Sequence, residues 1–242
     1  MRNGRGNAIL KTIGLIGGLS WESSLEYYRL VNEGVKQKLG GLHSAQCLIY
    51  SVDFGPIEEL MRQGNWLEVN KILVDAALHL KQGGADFILI CSNTMHKFAD
   101  SIIEQSGMPL LHIVDAAAQK IKKQGLKKVG LLGTKFVMEG DFYRRRLKEE
   151  HGIEVIIPDA NERDNINTVI FQELCLGVLN QDSKMQFQKI INKLVLLGAE
   201  GIVLGCTEIP LLIKQFDVAV PVFDTMTLHA EVAVEYALKG NK

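Results

Sequence analysis

The stretch KTIGLIGG at residues 11–18 returns further along the chain as KKVGLLGT at residues 127–134. Gly17 falls on Gly133 in this alignment, which is an offset of 116 positions, and Tyr27 falls on Tyr143 at the same offset. A glycine-containing turn after a strand is common by itself. Two such turns with the same neighbours at a constant offset indicate instead that the chain contains an internal repeat.

A second pair of stretches supports the repeat. GADFILICSNT at residues 84–94 matches GAEGIVLGCTE at residues 198–208, at an offset of 114. PLLHIVD, starting at residue 109, is echoed by PVFDTM, starting at residue 221, at an offset of 112. Random glycine matches would not keep their order and register over this length. The sequence therefore predicts two similar lobes.

Strand-like apolar runs alternate with longer segments of helical periodicity in each half. In the first half the runs are residues 12–16, 47–52, 87–90 and 110–114. Such alternation predicts an α/β fold in which each lobe is a mostly parallel sheet flanked by helices. The expected first lobe is 11–115 plus 228–242, the second is 116–227, and residues 1–10 form a loose leader. Ligands of parallel sheets bind beyond the carboxyl ends of the strands, so we expect an active site in a cleft between the lobes.

Composition narrows the class of ligand. The chain has 47% hydrophobic and 23% charged residues and a formal net charge of -1, which favours neither nucleic acid nor an anionic membrane surface. No apolar run approaches the ~20 residues of a membrane-spanning helix. Four cysteines form no CxxC pair and no metal-ligand spacing, so we expect reduced thiols, a cytoplasmic protein and no metal. A small molecule is the expected ligand.

The repeat also indicates which residue after the third run faces a ligand. Ser92 aligns with Cys206 at the offset of 114, whereas its neighbour Cys91 aligns with Gly205. We interpret Cys91 as a small buried thiol. Cys206 ends an apolar run before an expected helix, whose N-terminus would lower the pKa of the thiol from ~8.5 towards neutrality. The alternative for Cys206 is an unreactive buried cysteine.

Four motifs together resemble one family. GLIGGLSWESSLEYYR, ICSNTMHK, LLGTKFVMEGDFYR and LGCTEI are similar to motifs of the aspartate/glutamate racemase family of amino-acid racemases that need no pyridoxal phosphate, and most closely to its broad-specificity branch. The resemblance extends from about Lys11 to Ala237. It implies two pseudosymmetric lobes, a homodimer, no cofactor, and one thiol per lobe on opposite faces of the substrate Cα. Cys206 matches the second-lobe thiol, but Ser92 stands where many members have the first.

The resemblance implies an amino-acid substrate and a proton transfer at Cα. One base removes the proton from one face, an acid returns a proton to the other face, and preorganised donors stabilise the charge that develops. Cys206 and Ser92 are the expected acid/base pair. Asn93, Thr94 and Thr207 are expected to donate hydrogen bonds to the α-carboxylate, although residues of these types also serve as ordinary helix caps.

Further residues have supporting roles in this hypothesis. Glu208 could orient Thr207 or bind the substrate ammonium, or it could simply favour the start of a helix. His96 follows Ser92 by four positions and could polarise its hydroxyl, or be a packed histidine. Arg62 and Arg163, both expected in loops, are candidates for binding a substrate side-chain carboxylate.

Two other functions are compatible with the sequence. A decarboxylase or a hydantoin racemase of the same superfamily could work with one thiol, since a single acid can deliver a proton to a planar intermediate. A two-lobed amino-acid binder without catalysis is the third interpretation. Release of carbon dioxide would identify the decarboxylase, and tight binding without exchange of the Cα hydrogen would identify the binder.

Overall fold

The computed structural model describes residues 10–239. Contacts within the chain divide it into two units. The first unit contains the described residues through Cys91, the segment Phe98–Leu111 and the described residues from His229 onward. The second unit contains Ser92–Lys97 and His112–Leu228. The expected leader, residues 1–10, lies outside the described residues except for Leu10.

Strands and helices alternate along the chain. The strands are β1 (Ile13–Gly17), β2 (Cys47–Ser51), β3 (Phe87–Ile90), β4 (Lys128–Gly133), β5 (Glu154–Ile156), β6 (Gly201–Gly205) and β7 (Val222–Asp224). The α-helices are α1 (Trp21–Leu39), α2 (Phe54–Arg62), α3 (Trp66–Gln82), α4 (Ala99–Ser106), α5 (Ile113–Lys123), α6 (Lys135–Glu139), α7 (Asp141–Glu149), α8 (Ala160–Gln172), α9 (Gln181–Leu196), α10 (Ile209–Leu212) and α11 (Thr225–Leu238). This is the α/β architecture that the sequence predicts.

Each unit contains one parallel sheet, and the two sheets have the same strand order. In the first unit β1 lies between β2 and β3, and a single parallel bridge joins Ile88 of β3 to Leu110. In the second unit β4 lies between β5 and β6, and β7 pairs with the other side of β6. The bridge at Leu110 therefore occupies the place that β7 fills in the second sheet. The repeat in the sequence corresponds to a repeated topology.

The expected strands of the first half are confirmed in three cases and wrong in one. The observed limits of β1, β2 and β3 agree with the expected runs within one residue at each end. Residues 110–114 do not form the expected strand, because α5 begins at Ile113 after His112, whose Nδ1 accepts a hydrogen bond from the Val114 N–H at 3.2 Å. An apolar run alone does not distinguish a buried strand from the start of a buried helix.

The helices cover the sheets with apolar faces and begin at polar caps. In α3 the buried residues Val69, Leu73, Ala76 and Leu80 recur at helical spacing. Burying a leucine or isoleucine side chain completely contributes roughly 1.5–3 kcal/mol. Polar side chains define where the helices start: Ser20, for example, caps α1 by accepting a hydrogen bond from a backbone N–H of its first turn.

The turn after β1 has no room for a side chain. Gly18 has a φ of +79°, and a Cβ placed on it would lie 2.0 Å from the carbonyl oxygen of Val52 and 2.5 Å from its nitrogen. The backbone of Val52 is itself held, since its N–H donates to the carbonyl of Gly17 at 3.0 Å. The Gly18 N–H donates to Ser24 Oγ at 2.8 Å. Only glycine satisfies both the backbone angle and the close approach.

Among residues 10–239, no helix is both long enough and apolar enough to cross a membrane. All four cysteines, Cys47, Cys91, Cys175 and Cys206, are free thiols.

Candidate active site

All seven residues predicted for the site lie in the second unit. Ser92 and Asn93 follow β3, and Thr94 opens the short 3-10 helix Thr94–Phe98 that also contains His96. Cys206, Thr207 and Glu208 follow β6 directly. Asn93, Thr94, His96, Cys206 and Glu208 are buried, whereas Ser92 and Thr207 are partly exposed.

The Cys206 thiol is hydrogen-bonded to a carboxylate. Cys206 Sγ donates to Glu208 Oε2 at 2.9 Å, and Thr207 Oγ1 donates to the same oxygen at 2.7 Å. A carboxylate oxygen only accepts, so both hydrogens point to Glu208. Glu208 therefore contacts and orients Thr207, one of the three roles considered for it, and it makes no side-chain cap to α10.

The expected lowering of the thiol pKa at Cys206 is wrong. Burial raises the pKa of Cys206 well above its ordinary value, and the charge of Glu208 together with the hydrogen bond to it raises the pKa further. The expected helix gives little compensation because α10 has only four residues and starts at Ile209, three positions after the thiol. The resting state of Cys206 is a protonated thiol that donates to Glu208.

Asn93 has one end of its amide bonded and the other end without a partner. Its Nδ2 donates to Thr225 Oγ1 at 3.1 Å, and Thr225 Oγ1 donates in turn to the backbone oxygen of Leu204 at 2.8 Å. Asn93 Oδ1 is buried and has no hydrogen-bond partner within residues 10–239. A buried acceptor without a donor is costly, by about 1–3 kcal/mol, so this atom is suited to a ligand that supplies a hydrogen.

Thr94 contacts a second threonine that the sequence motifs did not single out. Thr94 Oγ1 and Thr134 Oγ1 lie 3.2 Å apart, and both side chains are buried. Thr134 also caps α6, since its Oγ1 accepts from the Val137 N–H at 3.3 Å. Because one hydroxyl donates to the other, one of the two hydrogens is left for another acceptor. The sequence signal for Thr134 is its position directly after β4, within the motif LLGTKFVMEGDFYR.

His96 contacts the backbone of Ser92. His96 Nδ1 lies 2.7 Å from the carbonyl oxygen of Ser92, and because a carbonyl only accepts, Nδ1 carries the hydrogen. The imidazole therefore holds the backbone of the turn instead of polarising the hydroxyl as one interpretation expected. Within the described residues the Ser92 hydroxyl has no hydrogen bond of its own. The ring of His96 packs against that of His112, with centroids 4.7 Å apart.

Cys91 is the buried thiol that the sequence predicts. Its side chain is almost completely inaccessible, and burial raises its pKa far above the ordinary value. Its N–H donates to the carbonyl of Ile16 at 2.9 Å, which continues the pairing of β3 with β1 by one residue. Cys91 is therefore part of the packing of the first sheet.

The two candidate cations, Arg62 and Arg163, lie on helices. The prediction that both lie in loops is therefore wrong. Arg62 is the last residue of α2 and forms ion pairs with Glu58 and Glu59 of the same helix. Arg163 lies in α8, where its Nε donates to Glu139 at 2.9 Å and its Nη1 to the Pro158 carbonyl at 2.7 Å. Both guanidinium groups already have acceptors within the chain.

One group of potential metal ligands occurs among the described residues, consisting of Asp115, Glu150 and His151. Arg146 donates to both oxygens of Asp115, at 2.7 and 2.8 Å, and His151 Nε2 lies 2.8 Å from Asp115 Oδ1. Burial alone would raise the pKa of Asp115, but the hydrogen bonds from Arg146 and His151 lower it below the ordinary value. These contacts are those of an ion-pair network that joins α5 to α7.

Comparison with protein families gives a match that spans most of the chain. A family model described as Asp/Glu/hydantoin racemase matches residues 16–233. The broad-specificity amino-acid racemase RacX of Bacillus subtilis is 26% identical over 171 residues, which cover 69% of this chain and 71% of RacX.

Solved structures show the same similarity. A candidate Asp/Glu racemase from Yersinia pestis is 52% identical, with a TM-score of 0.90 over 95% of this chain and 100% of that protein. An aspartate racemase homologue from Pyrococcus horikoshii is 40% identical, with a TM-score of 0.82 over 94% of this chain and 99% of that protein.

Proposed function

Because this chain belongs to the Asp/Glu/hydantoin racemase family, we propose that it is an amino-acid racemase that works without a cofactor. The proposed substrates are aspartate, glutamate or a broader set of amino acids, in keeping with the names of its relatives. The observation that carries the proposal is the buried thiol of Cys206, which donates its hydrogen to Glu208 Oε2 at 2.9 Å. A thiol in contact with a proton acceptor can change between acid and base.

In the proposed mechanism Cys206 exchanges a proton with the substrate Cα. The thiol can supply its proton to one face of a planar intermediate, and the resulting thiolate is the base of the reverse direction. Loss of the thiol proton to Glu208 would generate the thiolate at a buried site where direct ionisation is unfavourable. Glu208 is thus a proton acceptor for the thiol, and Thr207 keeps the shared carboxylate oxygen in place.

Substrate binding is assigned by hydrogen-bond type. Asn93 was expected to donate to the α-carboxylate, but one of its two Nδ2 hydrogens is bonded to Thr225, and the buried atom that has no partner is the acceptor Oδ1. We therefore assign Asn93 Oδ1 to the substrate ammonium, which donates hydrogens. The remaining hydroxyl hydrogen of the Thr94 and Thr134 pair is assigned to the α-carboxylate, whose oxygens accept hydrogen bonds.

Ser92 is the proposed acid/base for the other face of Cα. A serine hydroxyl is a much poorer base than a thiolate, so removal of the Cα proton by Ser92 should be the slower half-reaction. Saturating rates in the two directions should then differ. The ratio of the two kcat/KM values must still equal the equilibrium constant of one for free enantiomers. Ser92→Cys should speed the slow direction, and Ser92→Ala should slow both.

The test is to incubate the protein with each L- and D-amino acid in deuterated water and to follow exchange at Cα by NMR. Exchange with inversion supports the racemase, and the Cys206→Ala and Ser92→Ala variants show which face each residue serves. Inversion of a 5-substituted hydantoin without amino-acid exchange would indicate the second activity in the family description. Carbon dioxide released from a malonate-type acid would indicate a decarboxylase, and tight binding without exchange would indicate a binding protein.

A homodimer in the cytoplasm is part of the same proposal. The family resemblance supports the dimer, and the four free thiols are compatible with a reducing compartment. Light scattering coupled to size-exclusion chromatography tests the dimer, since a mass near the 26.9 kDa of one chain would exclude it.

A further inference from the structure

Thr225 lies between two segments that carry the candidate site. It is the first residue of α11 and is completely buried. Its Oγ1 donates to the carbonyl oxygen of Leu204, two residues before Cys206, at 2.8 Å. The same Oγ1 lies 3.1 Å from Asn93 Nδ2, which is 132 positions away in sequence. Thr225 belongs to the stretch PVFDTM, starting at residue 221, which is the second copy of the last repeated stretch.

The direction of these two hydrogen bonds follows from the groups involved. The Leu204 carbonyl only accepts, so it takes the single hydrogen of the Thr225 hydroxyl. Thr225 Oγ1 then has only lone pairs to offer to Asn93. The two ends of a side-chain amide have nearly the same size, and a hydrogen-bond partner decides which end points where. A partner that can only accept selects the NH2 end, and the carbonyl end of Asn93 must point away from Thr225.

We propose that Thr225 is a positioning residue that turns the acceptor end of the Asn93 amide towards the substrate. The inference rests on the proposed function, because it assigns Asn93 Oδ1 to the substrate ammonium. The observation that supports it is that Asn93 Oδ1 is buried and has no partner among residues 10–239. If Thr225 could not accept, the amide could rotate and present NH2 to an ammonium group, which places two donors against each other.

The variants follow from this logic. Thr225→Val keeps the shape of the side chain and removes the hydroxyl, whereas Thr225→Ser keeps the hydroxyl. Thr227→Val is the matched control: Thr227 lies two positions further along α11 and its Oγ1 donates to Asp224 Oδ2 at 2.7 Å. The Thr227→Val variant loses one hydroxyl hydrogen bond in the same helical turn, but that bond does not involve Asn93. Asn93→Ala, alone and combined with Thr225→Val, completes a double-mutant cycle.

The kinetic arm uses an amino acid that the wild-type protein exchanges at Cα, and its α-hydroxy analogue as a competitor. Thr225→Val should lower kcat/KM by about ten-fold, the effect of one net hydrogen bond, and Thr225→Ser should restore most of it. In the Asn93→Ala background, Thr225→Val should lower kcat/KM by a further factor of less than about two. Thr225→Val should also lose the preference for the ammonium compound over the hydroxy acid, a change that general loosening of the fold does not produce.

The second arm needs no activity. In protein labelled with 15N at asparagine, the side-chain NH2 signals of Asn93 should shift and exchange faster with solvent in Thr225→Val, and should remain as in wild type in Thr225→Ser and Thr227→Val. Unchanged Asn93 signals in Thr225→Val would overturn the inference. Independent, multiplicative kinetic losses in the double variant would overturn it as well.

The two proposals fail in different ways. If no amino acid exchanges at Cα in the wild type while the Asn93 signals still respond to Thr225→Val, the racemase proposal is wrong and the orienting role of Thr225 is supported. If exchange is robust and Thr225→Val leaves both the Asn93 signals and the ammonium preference unchanged, the racemase proposal stands and the inference about Thr225 is wrong.

Discussion

Asn93→Ala is expected to lower catalytic efficiency strongly and to change stability little. The proposed bond from the substrate ammonium to Asn93 Oδ1 involves a charged donor, and such bonds contribute about 1.5–3 kcal/mol. At 1.4 kcal/mol for each factor of ten, kcat/KM should fall by roughly ten- to 150-fold. The variant also removes the bond to Thr225, but the Thr225 hydroxyl still donates to Leu204. It removes a buried acceptor that had no partner, so the free energy of unfolding should fall by less than about 1 kcal/mol.

The chain offers a matched control for this variant in Asn70, in the first unit. Asn70 Nδ2 donates to the hydroxyl of Ser101 at 2.9 Å, and Asn70 Oδ1 is buried and, within residues 10–239, without a partner. Asn70→Ala therefore removes the same set of atoms from a comparable environment outside the candidate site. It should leave kcat/KM near the wild-type value.

The assay compares kcat/KM for both enantiomers, measured by optical rotation or Cα exchange, with denaturant unfolding of the same preparations. A loss of less than three-fold in Asn93→Ala would refute the assignment of Asn93 to the substrate. An equal loss in Asn70→Ala would show that the effect comes from stability and not from binding.

Four further predictions concern the thiols, Glu208 and the turn after β1. Cys206→Ala should lower turnover by at least about 10²-fold, as expected for a positioned proton-transfer group, while Cys91→Ala stays near wild type in the exchange assay. The pKa of Cys206 is raised in the folded protein, so the stabilising contribution of its protonated thiol is present below the unfolded pKa of about 8.5 and is lost as pH rises through the folded pKa. The free energy of unfolding, measured from pH 7 to 10, should therefore fall less steeply with pH in Cys206→Ala than in the wild type. Glu208→Gln should lower the pKa of Cys206 and speed its alkylation by iodoacetamide at neutral pH while slowing racemisation; alkylation slower than in wild type would contradict this. Gly18→Ala should destabilise the protein by at least about 3 kcal/mol more than Gly64→Ala, since both have positive φ but only Gly18 lacks space, and equal urea midpoints would contradict the steric argument.

The fold could be predicted because the same strand and turn motifs occur twice in the chain. The repeated strand-turn motifs fixed the order of elements, and the structure confirms the same strand order in both sheets. The exception, residues 110–114, shows the limit of apolar patterns. The single cap at His112 turned an expected strand into a helix start.

The chemistry of the site was less predictable, because it depends on partners that are distant in sequence or on burial. The direction of the Cys206 pKa shift depends on how deeply the thiol is buried and on where Glu208 points, and neither is visible in LGCTEI. The role of Asn93 depends on Thr225, 132 positions away. Residue types and positions identified the site residues as candidates, but only hydrogen-bond directions distinguish a donor from an acceptor at Asn93.

The turn at Gly18 has a consequence for protein engineering. The repeat aligns Gly18 with Thr134, at the offset of 116, and a consensus built from the two halves would exchange their side chains freely. Thr134 holds a hydroxyl that caps a helix, whereas any Cβ at position 18 meets the backbone of Val52 at 2.0 Å. The two halves thus have the same strand order, but position 18 does not accept the side chain that its equivalent, Thr134, carries. Averaging internal repeats, a common route to stabilised repeat proteins, would damage this chain at the position where the alignment of its halves is clearest.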